Sequence, residues 1–183
     1  MKGVLTVAAL RTELLFAPRP RMALGMGEAA APRLVKLLDR RTPAGVLVVG
    51  FCGATRAGLP PGTLVLASAV DGTALPQGLV ERARERLPGA EVGTVVTVGA
   101  PASPAGKARL SPNALAVDME SVHLAAELSS RGIPFLILRC VLDALWEDLS
   151  AGPRLRWARR ALACARRLGQ GARALVPALE GAA

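Results

Sequence analysis

Asp118 and Glu120 flank Met119 in a stretch that is otherwise almost wholly apolar, ALAVDMESVHLAAEL. Carboxylates beside a buried strand carry a desolvation cost unless something binds them. One outlet is helix capping, with Asp118 as N-cap and Glu120 in the first turn. The other is chemistry on a bound molecule. Asp143 presents the same choice at the end of the apolar run 135–142, where it either begins a turn or faces a ligand. Glu13 follows the first apolar segment, and a glycine-rich turn, Gly50-Phe51-Cys52-Gly53-Ala54, closes a third.

Such groups are useful only if strands hold them. The sequence predicts buried strands over 2–9, 45–51 (GVLVVGF, the clearest), 63–69, 92–98, 115–117 and 134–142. Helices are expected over 28–40, with apolar spacing at Leu34, Leu37 and Leu38, over 79–87, and over 119–131, which Gly132 ends. Segment 100–106, with two prolines, reads as a loop. A last helix opens at Pro153 and runs to about residue 168, with Leu155, Ala158, Leu162 and Ala165 as its apolar stripe and Arg156, Arg160 and Arg167 facing away. The alternation implies an α/β protein, a mixed central sheet with helices on both faces, as one domain over 1–183. In such sheets functional groups collect at the carboxyl ends of strands, which is where Glu13, the glycine-rich turn and Asp143 fall.

Composition narrows the function classes. With 183 residues, 51% hydrophobic and 20% charged, the chain has the makings of a packed core and is not disordered. No apolar run reaches the roughly 18–20 residues that a bilayer demands. MKGVLTVAAL is followed at once by Arg11 and Glu13, so it reads as a first strand and not a signal peptide, and the expected location is the cytoplasm. Cys52, Cys140 and Cys164 have no metal-type spacing and there is one histidine, His123, so neither a metal nor a cofactor is expected. His123 reads as structural. The net charge of +9 invites a nucleic-acid reading, but 20 of the 23 basic residues are Arg and only three Phe, two Trp and no Tyr could stack on bases. The arginines of the last helix read as a solvated face, and no nucleic-acid partner is expected.

The segment AVDMESVHLAAELSSRGIPFLILRCVLD resembles the signature of the nucleoside phosphorylase and nucleosidase superfamily, a Met-Glu pair opening a helix and then an apolar strand carrying Arg and Asp. Glu120 lies 19 positions before Arg139 and 23 before Asp143, a spacing similar to the methylthioadenosine/S-adenosylhomocysteine nucleosidase branch. VVGFCGATRAGLPPGTLVLAS is similar to the family's Gly-x-x-Gly turn and the strand after it, and MKGVLTVAALRTELL resembles the opening strand whose loop ends in a catalytic Glu. The tract SPAGKARLSPNALAVDMES resembles the hopanoid-associated nucleosidases, with futalosine hydrolase another neighbour.

The resemblance implies a nucleoside phosphorylase-like fold and cleavage of the N-glycosidic bond of a purine-type nucleoside, through an oxocarbenium-like sugar. It implies that Glu120 binds the ribose hydroxyls, that Met119 packs on the sugar, and that Phe51, Cys52 and Gly53 line the substrate. Asp143 would be the general acid at N7 of the base, its pKa raised by burial. Glu13 would orient or deprotonate the attacking water, and Arg139 would anchor a carboxylate without touching substrate. Phe51 stands where phosphorylases place a Ser or Thr, which favours water as nucleophile. Arg11 and Arg56 keep phosphorolysis open. A shortened region over 70–91, and Leu142 in place of a Ser before the acid, leave a non-catalytic nucleoside-binding relative as a rival. Trp146 is expected to stack on the base or to serve as a core or lid residue. A homo-oligomer is implied by the same resemblance.

Overall fold

The computed structural model describes residues 3–181. Eight strands build one mixed sheet: β1 Val4–Ala8, β2 Arg21–Ala23, β3 Gly45–Ala54, β4 Leu64–Val70, β5 Thr73–Ala74, β6 Glu91–Thr97, β7 Ala116–Asp118 and β8 Phe135–Asp143. The helices are α1 Ala30–Leu38, α2 Gln77–Arg86, α3 Pro104–Leu110, α4 Ser121–Ser130 and α5 Arg154–Glu180. Every predicted strand is present. Lys2, where the first was expected to begin, lies outside the described residues.

Strand β3 is the centre of the sheet. It runs parallel to β1 and to β8, with Val48 level with Val7 and Ile137. Its last residues, Gly53 and Ala54, pair antiparallel with Val117 and Ala116 of β7. β8 pairs antiparallel with β4, β4 parallel with β6, and β6 parallel with β7. The strands β3, β8, β4, β6 and β7 therefore close on themselves, while β1 with β2 and the short β5 extend from the ring. This curl brings the carboxyl ends of β3 and β8 against β7, at one rim.

Helices α1 and α4 pack together, as do α2 and α5 against the other face. The near-continuous burial of β3 and β8 is what a sheet covered on both sides requires. Leu34, Leu37 and Leu38 bury the predicted face of α1, at about 1.5–3 kcal/mol for each fully buried side chain.

Two expectations need correction, and one strand comes in addition to those expected. The loop expected over 100–106 gives way to α3, because Ser103 Oγ accepts the Gly106 N–H at 3.2 Å and Pro104 opens the helix, a start signal that the prolines masked. α5 continues to Glu180 instead of ending near 168. Its Gly169 and Gly171 are points of close approach and not stops. A Cβ on Gly169 would stand 2.5 Å from Phe16, and one on Gly171 2.8 Å from Leu138 Cδ2. The helix accordingly buries Leu168, Leu175 and Leu179, whereas Leu155 and Leu162 of the predicted stripe are exposed. Finally, Arg21–Ala23 forms an edge strand beside β1 that no alternation in the sequence announced.

Candidate active site

A cleft of about 200 Å³ opens at the rim where β3, β7 and β8 end, lined mostly by apolar side chains and by five charged ones, Glu13, Lys107, Asp118, Glu120 and Asp143. Phe51, Cys52, Gly53 and Met119 also line it. Residues distant in sequence thus share one hollow, and each is delivered by a local device.

Glu13 sits in a 3₁₀ turn, Thr12–Leu14, just past β1. Its Oε2 accepts the Leu10 N–H at 2.7 Å and its Oε1 the Phe51 N–H at 2.7 Å, which ties β1 to the glycine-rich end of β3. Burial pushes this carboxyl up to about 7, against the two backbone hydrogen bonds and the Arg139 charge. A carboxylate poised there is suited to exchanging a proton near neutrality.

Glu120 stands at the entrance to α4, buried, with Oε1 accepting the Gly27 N–H at 2.9 Å from the loop after β2. The N-cap of α4 is Glu120 and not Asp118 as expected, and its side chain makes no cap bond; the Asp118 Oδ1, two residues earlier, accepts from the backbone N–H groups of Glu120 and Ser121 at 3.2 and 3.1 Å. The Asp118 Oδ2 pairs with Arg139 Nη2 at 2.7 Å, and Ser121 Oγ binds both partners. Arg139 is fully buried, level with Gly50, and does not line the cleft.

Asp143 ends β8. The ladder between β3 and β8 slips here: Cys52 is level with Val141, but Gly53 is level with Asp143, so Leu142 is an extra residue. A bulge of this kind re-aims the side chain after it, and period-two reading of the strand does not reveal it. The Asp143 Oδ2 meets Lys107 Nζ of α3 at 2.6 Å. Lys107 also donates to the carbonyls of Ala144 at 2.6 Å and Glu147 at 2.7 Å. Burial raises the Asp143 carboxyl from its ordinary value, although the lysine pulls it down. Gly53 leaves room for the pair: a Cβ there would stand 3.1 Å from both Asp143 Oδ2 and Lys107 Cδ.

Lys107 is the site residue that sequence reading missed. Between Gly106 and Ala108 it looks like any solvated lysine, and only the fold buries it. Trp146 is 67% exposed and does not line the cleft. His123 stays outside it as well, and no residue from 71 to 97 contributes to its wall. Among the described residues no group of three or more His, Cys, Asp or Glu is arranged to hold a metal ion.

The fold is that of the nucleoside phosphorylases and nucleosidases. It is similar to the 5′-methylthioadenosine/S-adenosylhomocysteine nucleosidase of Helicobacter pylori (TM-score 0.82, 15% identity, 97% of this chain and 98% of that one). It is equally similar to the futalosine hydrolase of the same organism (0.81, 15%, 97% and 99%) and to the S-adenosylhomocysteine nucleosidase of Streptococcus pyogenes (0.79, 18%, 97% and 96%). The chain belongs to the phosphorylase superfamily, whose family model matches residues 5–172. None of the curated proteins matches it in sequence.

Proposed function

We propose that the protein is a nucleosidase that hydrolyses the N-glycosidic bond of a purine-type nucleoside, a 5′-substituted adenosine such as methylthioadenosine or adenosylhomocysteine being the preferred class. The observation that carries this is the meeting of Glu13, Glu120 and Asp143 in one apolar cleft. Glu120 holds the ribose hydroxyls by charge-assisted hydrogen bonds, with Met119 against the sugar. Asp143 protonates the departing base. Glu13, raised toward neutrality by burial, takes a proton from the attacking water. Arg139 stays beneath the floor, paired with Asp118, as an anchor.

Water is preferred to phosphate because the cleft offers an anion little support. Lys107 is the one basic residue in its wall among the described residues, and its three hydrogen bonds go to Asp143 and two carbonyls. Phe51 brings no side-chain donor to the turn. The mouth carries Leu10, Met26 and Leu149, all partly exposed, which suits an apolar 5′ substituent and a second copy of the chain as cover.

The test is incubation with methylthioadenosine, adenosine, inosine and futalosine, with and without phosphate. Free base released without phosphate is the expected result. Base released only with phosphate, together with ribose-1-phosphate, would replace hydrolysis by phosphorolysis. Binding of these nucleosides without any release of base would leave a non-catalytic relative.

A further inference from the structure

We infer that Lys107 is the positioning residue of Asp143: its ammonium fixes Oδ2 and ties it to the segment after β8, leaving Oδ1 as the oxygen that hands a proton to the leaving base. The inference deepens the nucleosidase reading and rests on it for the chemical step. The geometry itself does not. Lys107 is wholly buried, and a buried ammonium is tolerated only when its donors are met. All three are: Asp143 Oδ2 at 2.6 Å, Ala144 O at 2.6 Å and Glu147 O at 2.7 Å. One side chain from α3 thereby pins both the acid and the first turn of the chain that follows it.

The segment is braced a second time from α5. Glu147 accepts the Ala144 N–H at 2.9 Å, pairs with Arg160 at 2.5 Å and also with Arg156, while Arg160 donates to Leu142 O at 3.1 Å. Asp143 is therefore held from both flanks, in a strand that a bulge has already turned.

The proton step balances around this arrangement. As the C1′–N bond breaks, its electron pair passes to the base, and the Oδ1 proton moves to a ring nitrogen of that base. Asp143 is left as a carboxylate. Water supplies hydroxide to C1′, and its remaining proton goes to Glu13. The charge that develops on Asp143 appears directly against the Lys107 ammonium, so the pair is more favourable after transfer than before, which is the condition for a contact to speed the step. The other charged and titratable neighbours do not substitute for it. Glu147 faces Asp143 with the same sign and is neutralised by Arg156 and Arg160. The Cys52 thiol is kept protonated by burial, Arg139 is committed to Asp118, and Glu13 and Glu120 are carboxyls across the cleft. Burial drives the Asp143 carboxyl up and the lysine restrains it.

The experiment reads the pair in the free protein first, by carboxyl ¹³C and lysine ¹⁵N NMR across pH. In the unaltered chain the Lys107 ammonium is expected to give a signal protected from exchange that moves at the pH where Asp143 titrates. In Lys107→Met, Asp143 is expected to titrate about 1–3 pH units higher, the size of a close opposite charge. Kinetics follow. The alkaline limb of kcat should move up by a similar amount and turnover should fall by about 100-fold through lost orientation, with KM little changed. An Asp143 titration unmoved in Lys107→Met, or a Lys107 signal indifferent to Asp143, would overturn the inference. Should Lys107→Met fail to fold, the titration of the unaltered chain decides alone. If the NMR coupling holds and no nucleoside is cleaved, the pair stands as an electrostatic device and the nucleosidase reading is what falls.

Discussion

The guanidinium of Arg139 occupies the space that a side chain on Gly50 would need: a Cβ there would lie 1.8 Å from Nη1 and 3.3 Å from Glu13 Oε1. Two neighbouring strands, level at these residues, thus divide one volume between a buried cation and the absence of a side chain. Gly50→Ala should push Arg139 off Asp118 and disturb Glu13 at the same time. Overpacking of this kind costs about 1–3 kcal/mol, which lowers Tm by about 5 °C in a chain of this length. Calorimetry together with turnover checks it. A variant with unaltered Tm and activity would show that the packing tolerates what the geometry forbids.

Glu13 makes a pH dependence in two quantities. As the proposed base it works ionised, so kcat/KM should fall as pH drops below about 7. Stability runs the other way. The folded carboxyl binds its proton more tightly than the unfolded one, so between about 7 and 4.5 the native state carries the extra proton, and stability rises as pH falls through that window. The span corresponds to about 3 kcal/mol. Glu13→Gln should remove the acidic limb and cut turnover by about 10²–10⁴-fold. It should also set an amide N–H against the Leu10 or Phe51 N–H, at about 1–3 kcal/mol. Rate and urea-denaturation profiles from pH 5 to 9 separate the two.

Much of this was legible in the letters because it follows from local chemistry. Uninterrupted apolar runs such as GVLVVGF must be buried strands, and carboxylates at their ends had few reasons to be there. What stayed hidden depends on chain paths that no spacing encodes. The bulge at Leu142 breaks the two-residue period silently. Gly169 and Gly171 carry the signature of a helix end, but Phe16 and Leu138 decide their meaning. Lys107 has no local reason to be buried, and its partner lies 36 residues further on. Asp118 was weighed as the N-cap, a place that Glu120 takes, and its pairing with Arg139 needed the ring of strands to bring β7 and β8 near each other.

The mouth of the cleft makes a prediction about assembly. Leu10, Met26 and Leu149 are 38%, 59% and 38% exposed around an otherwise apolar opening. Water-facing side chains of this size, clustered at a rim, suit a protein surface as cover. Light scattering should give a multiple of the monomer mass. Met26→Glu should shift the population toward monomer and raise KM more than it lowers kcat. A monomeric parent protein that turns over normally would sink the expectation.

Asp143→Asn is expected to abolish nearly all turnover. The Lys107 contact adds a cost in stability. An asparagine that turns its amide N–H toward Lys107 leaves a fully buried ammonium without the carboxyl oxygen that met it, and an unmet buried hydrogen bond of this kind costs about 1–3 kcal/mol. Asp143→Asn should therefore be less stable than the parent protein. Lys107→Met combined with Asp143→Asn should regain much of the loss, since the buried ammonium is then gone, while remaining inactive. Denaturation of the parent, the two single variants and the double variant closes the cycle. A coupling energy near zero would mean that the 2.6 Å contact carries no weight in the folded protein.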